Sequence, residues 1–159
     1  MKSAGRDQRH SADKRGKGRL RRAGVDRFAP GSFRPGPEMQ YQLLFEKNPI
    51  PMWVVEPASL RFLAINDAAI RQYGYSREEF LAMTLADIRR PEYVEDLLNV
   101  LAQLKPGLQR RGTWIHRRKD GSSVEVEIVC QDLDFQGSKA LLVAAYDITA
   151  RNEAETKAR

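Results

Sequence analysis

The stretch GTWIHRRKDGSSVEVEIVCQDLDFQGSKALLVAAYDIT, residues 112–149, decides the fold. Asp120-Gly121 divides two runs of strand-forming residues, Thr113 to Lys119 and Ser122 to Ile128. Asp-Gly supplies the two positive-φ positions of a tight hairpin turn, so the runs pair antiparallel. After the turn, Val124, Val126, Ile128 and Cys130 alternate with Glu125, Glu127, Val129 and Gln131. That alternation puts one face on a core and the other mostly in water. Leu133 and Phe135 fall out of phase, and a β-bulge near Gln131 or Asp132 is the expected device that returns them inward. Gln136-Gly137-Ser138 is a second turn, and Ala140 to Tyr146 is apolar on both alternations, as suits a central strand covered on both faces.

The chain of 159 residues is long enough for one domain with a real core. No run of about 18 apolar residues is present, so no membrane span is expected, and nothing near the N-terminus resembles a secretory signal. A single cysteine, Cys130, excludes an internal disulfide and fits a cytoplasmic location, where it serves as a small buried hydrophobe. The net charge of +6 is unevenly spread: residues 1–37 hold eleven Lys or Arg against three Asp. That segment is rich in Gly, Pro, Ser and Arg and poor in large aliphatics, so residues 1–38 are expected to form a disordered basic extension. Read instead as an over-annotated stretch, it would leave Met39 as the expected start. A polyanion such as nucleic acid is the partner the extension would suit.

From Gln40 the texture changes. Tyr41, Leu44 and Phe45 share one face of a short helix that Asn48-Pro49 stops. Met52 to Glu56 and Leu60 to Ile65 are two short strands about Pro57-Ala58-Ser59, with Trp53, Val55, Phe62 and Ala64 expected on the core side. Met52, Val54, Leu63 and Ile65 would form an opposite face too apolar for water, to be covered by the Tyr41/Leu44/Phe45 helix or a second copy of the chain. Asn66 opens a helix that Gly74 closes, and Ser76 with Glu79 has capping-box spacing. Thr84 to Ile88 gives about one more turn. Pro91 begins a longer helix on which Val94, Leu97, Leu98, Leu101 and Leu104 keep helical spacing, and Pro106-Gly107 ends it. This order predicts an α+β fold: an antiparallel sheet of five strands, with short helices and one longer helix on one face. Short helices in series pack less densely than long ones and leave room for a pocket over the sheet.

Five pieces in this order, NPIPMWVVE, FLAINDAAIRQYGYSREEFL, the helix ending at Leu104, RRKDGSSVEVEI and YDIT, resemble the PAS domain, a sensory module of bacterial signalling proteins. The resemblance covers residues 39–149. It implies a small-molecule pocket between sheet and helices. Asn66 matches the helix-opening Asn and Gly74-Tyr75 the turn between the first two pocket helices. Asp147, Ile148 and Thr149 match the exit motif that relays the signal into a following helix. Residues 150–159, rich in helix formers, are the start of that helix, with Thr149 able to cap it. Implied partners are a second copy in a homodimer and an effector such as a histidine kinase or diguanylate cyclase, as in two-component systems.

The candidate pocket residues are Trp53, Phe62, Ile70, Tyr73, Phe80, Met83, Leu97 and Leu101. Haem-binding members carry a histidine on the long helix, and Pro91 to Leu104 contains none. The flavin photosensors carry a cysteine in the pocket helices, again absent here. FAD held non-covalently, stacked on Trp53 and Trp114, is the remaining cofactor alternative, that of a redox sensor. No metal-ligand pair, phosphate-binding loop or catalytic set is present, so no enzymatic activity is expected of these residues. Arg117, Arg118 and Lys119 read as a solvated charge run beside a turn.

Overall fold

The computed structural model describes residues 36–159. The basic extension and its expected disorder and polyanion binding fall almost wholly outside those residues. The order is α1 (Pro37–Glu46), β1 (Met52–Val55), β2 (Phe62–Ile65), α2 (Asp67–Tyr73), α3 (Arg77–Ala82), a 3-10 turn (Pro91–Tyr93), α4 (Val94–Ala102), β3 (Leu108–Arg117), β4 (Ser123–Phe135), β5 (Ser138–Asp147) and α5 (Thr149–Ala158). The strands form one antiparallel sheet in the order β2-β1-β5-β4-β3. β5 is central, as its two-sided apolar composition predicts.

Asn66 ties the first elements together. Its side chain is fully buried; Oδ1 accepts from the Ala69 N–H at 3.0 Å, capping α2, and from the Met52 N–H at 2.9 Å. Its Nδ2 donates to the carbonyls of Ile50 (2.8 Å) and Phe45 (3.2 Å). One amide thus satisfies backbone groups that would otherwise be buried and unpaired. Gly74 ends α2 at φ +82°, a conformation that costs a residue with a side chain, and the chain restarts at once. Ser76 and Glu79 form the capping box, each accepting from the other's backbone N–H. Local chemistry thus ends α2 at Gly74 and opens α3 at Ser76.

Several expectations are corrected. The ladder from Val126–Asp147 to Phe135–Ser138 runs without a shift, so there is no bulge at Gln131 or Asp132. Leu133 and Phe135 stay on the face opposite Val126 and are half-buried there. The irregularity lies instead on the edge strand β3, between Arg110 and Thr113, where Gly112 takes φ +73°. β3 also begins at Leu108, five residues earlier than Thr113. A second register shift, between Val54 and Val55, exchanges two assignments on β2: Ile65 pairs with Trp53 on the core side, and Ala64 pairs with Val54 on the other. The helix expected from Pro91 to Leu104 is divided into the 3-10 turn and α4. Tyr41 and Leu44 are 73% and 67% exposed, so they do not cover the second face of the sheet.

The core lies between the sheet and the α2–α4 side. Phe62 and Tyr73 pack edge to face against Trp53, and Phe80 packs edge to face against both of them, with ring centroids 5.2 to 6.0 Å apart. No helix among the described residues is long and apolar enough to cross a membrane.

Candidate ligand cavity

β1, β5 and β4 present Trp53, Val55, Leu141, Val143, Ile128 and Cys130 to one face, because alternate residues of paired strands share a side. α4 lies over them, but only Leu97 on it is fully buried. The Leu101 and Leu104 side chains complete the roof. A nine-residue helix with one anchored side chain covers the sheet incompletely, and a cavity of about 40 Å³ remains. By volume that is room for two or three waters or a few ligand atoms.

Two arginines interrupt this apolar wall. Arg89, in the irregular segment after α3, is 5% exposed, and its guanidinium carbon lies 4.5 Å from the centre of the Trp114 ring. Neither its Nε nor its Nη1 has a hydrogen-bond partner. Desolvation lowers its pKa to about 10, which still leaves it charged at neutral pH. Arg111 is set at the β3 irregularity, with Nη2 donating to the Gln109 side chain and its backbone carbonyl accepting from Trp114 Nε1 at 2.6 Å. Its Nε is likewise buried and unpaired, as is Trp53 Nε1. Burial raises the pKa of the Cys130 thiol against the opposing effect of Arg111, so the thiol stays protonated at neutral pH.

Beside the cavity, His116 is 1% exposed and its Nδ1 lies 2.7 Å from the Tyr73 hydroxyl. Burial, and then the charge of Arg89, push the imidazole pKa well below its ordinary value, so the ring is neutral. Desolvation raises Tyr73 so that its hydroxyl stays protonated.

Of the eight residues expected at a pocket, Trp53, Leu97 and Leu101 line this cavity. Phe62, Tyr73 and Phe80 form the aromatic core next to it, and Ile70 and Met83 are half-buried against that core. Arg89 and Arg111 are wall residues that the apolar pattern did not select, while Trp114, expected only as a stacking partner for FAD, and Cys130, expected as a small buried hydrophobe, also line the cavity. A run of helical or strand periodicity is the signal that finds pocket walls, and Arg89 belongs to no such run. In the charge run, Arg118 is held in place rather than solvated: Nε donates to the Gln72 carbonyl at 3.0 Å and Nη1 to the Ser123 carbonyl at 3.0 Å.

The exit segment is fastened to β4. The Ile148 N–H donates to the Glu125 carbonyl at 2.9 Å, and the Glu125 N–H donates to Thr149 Oγ1 at 3.1 Å. Asp147 Oδ1 accepts from the Thr149 N–H at 2.9 Å. Ile148 is the N-cap of α5 and no side chain caps it; Asp147 bonds only the first N–H of the helix, and the Thr149 hydroxyl expected to cap it is engaged by the sheet. Ile148 is buried, whereas α5 itself buries nothing.

This is the architecture of a small α+β domain, a five-stranded antiparallel sheet roofed by short helices, and comparison with known proteins gives its family. The chain belongs to the PAS domain family, whose sequence profile matches residues 49–150. It is 25% identical over 122 residues to the methyl sulfide methyltransferase-associated sensor of Methanosarcina acetivorans, a match covering 77% of this chain and 12% of that protein. It is 26% identical over 117 residues to the diguanylate cyclase DgcM of Escherichia coli K12, covering 72% of this chain and 28% of the other. The chain thus spans a small part of the curated relatives it matches, and what it shares with the cyclase is the PAS part. Among solved structures, the PAS domain of a Colwellia psychrerythraea protein superposes with a TM-score of 0.63 at 20% identity, over 72% of this chain and 98% of that one. The PAS domain of an HTR-like protein from Haloarcula marismortui gives 0.62 at 22%, over 70% and 91%. These structural likenesses bear on the fold alone.

Proposed function

We propose that this chain is a cytoplasmic sensory module: the cavity under α4 takes a small ligand, and its state passes through β4 to Asp147, Ile148, Thr149 and α5, which drive an effector. The observation that carries this reading is that one strand serves both ends. Ile128 and Cys130 of β4 line the cavity, and Glu125 of the same strand holds the exit segment by its N–H and its carbonyl. A displacement of Ile128 would then carry along the strand to Glu125, three residues away. Effectors of the kinase or cyclase kind fit the sensor and cyclase relatives, and homodimerisation would pair two copies of α5. The expected roles of Asp147 and Thr149 as relay residues belong to this proposal.

The test is a fusion of the chain to a diguanylate cyclase output. Thr149→Ala and Asp147→Ala should leave the thermal unfolding midpoint within a few degrees of the parent, while output stops responding to the state of the cavity. Unchanged output in both variants would defeat the relay.

A further inference from the structure

We infer that the ligand of this cavity is a small organic acid: its carboxylate accepts the free N–H groups of Arg89 and Arg111, and its hydrocarbon part lies among Leu97, Leu101 and Val143. This rests on the sensory reading above and names the chemical class that the site selects.

The wall is asymmetric in its hydrogen-bonding capacity. Its unpaired buried polar atoms are Arg89 Nε and Nη1, Arg111 Nε and Trp53 Nε1, and all of them are donors. No Asp or Glu lines the cavity. A guanidinium buried without a carboxylate is among the most costly arrangements a protein core can hold, and a face-on contact with Trp114 only partly offsets it. What the site lacks is an acceptor carrying negative charge.

Shape and polarity narrow the class. Arginine's planar fork matches the two oxygens of a carboxylate. The remaining wall is aliphatic or aromatic, apart from the Cys130 thiol, and therefore suits a ligand with an apolar body better than a phosphate, which exposes oxygen on every side. The present volume of about 40 Å³ fits an acid of a few carbons. A longer one is accommodated by displacing α4, the wall with a single buried anchor. A surface groove between α4 and β3 shares Val100, Arg111 and Trp114 with the cavity, and Asp96 lines its outer part.

The experiment is calorimetric titration of the full chain with acetate, propionate, butyrate and benzoate. The amide of each acid serves as its neutral counterpart, and inorganic phosphate and chloride are the anion controls. At least one acid should bind with one-to-one stoichiometry, and its amide about tenfold or more weaker. Arg111→Gln, at a half-exposed position, should weaken the acid by about tenfold or more, and so should Arg89→Gln; each variant is checked first for its unfolding midpoint. The basic residues of 1–37 attract anions independently of Arg111, so only binding lost in the variants counts as cavity binding. An amide that binds as well as its acid, binding indifferent to both substitutions, or no acid binding at millimolar concentration would overturn the assignment. A neutral compound found in the cavity by native mass spectrometry would also overturn it while leaving the sensory reading standing. Unchanged output from the Thr149→Ala and Asp147→Ala fusions defeats that reading without touching the acid.

Discussion

His116 shows how far one residue's surroundings set its chemistry. It is fully enclosed, bonded to Tyr73 and near the Arg89 charge, so protonation in the folded state is strongly disfavoured. The unfolded chain takes up that proton near pH 6.5 and the folded chain only well below it, so between those values the unfolded state binds more protons and stability falls with decreasing pH. The slope contributed by this one group is about 1.4 kcal/mol per pH unit below 6.5. Urea unfolding at pH 7.5, 6.5 and 5.5 should show it, and His116→Gln should flatten the profile in that range; an identical slope in the variant would contradict the account. None of this was legible in the sequence, where His116 stands between Ile115 and Arg117 on an edge strand with nothing to mark it as enclosed. Arg89 and Arg111 were hidden for a related reason. Arginine belongs to solvent by default, and only three-dimensional placement shows two of them facing an apolar space.

At the scale of elements, local chemistry was the legible part. Asn66, Gly74 and the Ser76/Glu79 pair announced their helix ends, and the structure has each of those caps. Removing the cap by Ser76→Ala should cost about 1 kcal/mol, measured as a shift in the urea midpoint with an unchanged m-value. A loss of several kcal/mol would mean that α3 is held by something other than its cap and Phe80. Strand phase was less legible. Leu133 and Phe135 suggested a bulge on β4 because apolar residues were assumed to face one core, whereas both lie on the other side of an unbroken ladder. The shifts that do occur, at Gly112 on the edge strand and at Val54/Val55, have no apolar signature of their own. Alternation fixes a strand's two faces but not which neighbour it is paired with, and pairing is what placed Ile65 inward.

For the whole molecule, the order of elements was enough to specify a five-stranded antiparallel sheet with helices on one side, because turn residues divided the chain at nearly every boundary. The cavity was legible only as an incompletely filled space, since its volume depends on how α4 lies over β1, β4 and β5. The central claim is that this space and the exit segment communicate through β4. Cys130→Leu, which fills the cavity from the β4 side, tests it whatever the ligand is. The decisive measurement is amide hydrogen exchange, residue by residue, in this variant and the parent. The account predicts that the Glu125 and Ile148 amides change their exchange rates by about tenfold relative to amides of α2, equivalent to about 1.4 kcal/mol in local opening. Identical rates at Glu125 and Ile148, with the cavity shown to be filled, would contradict it.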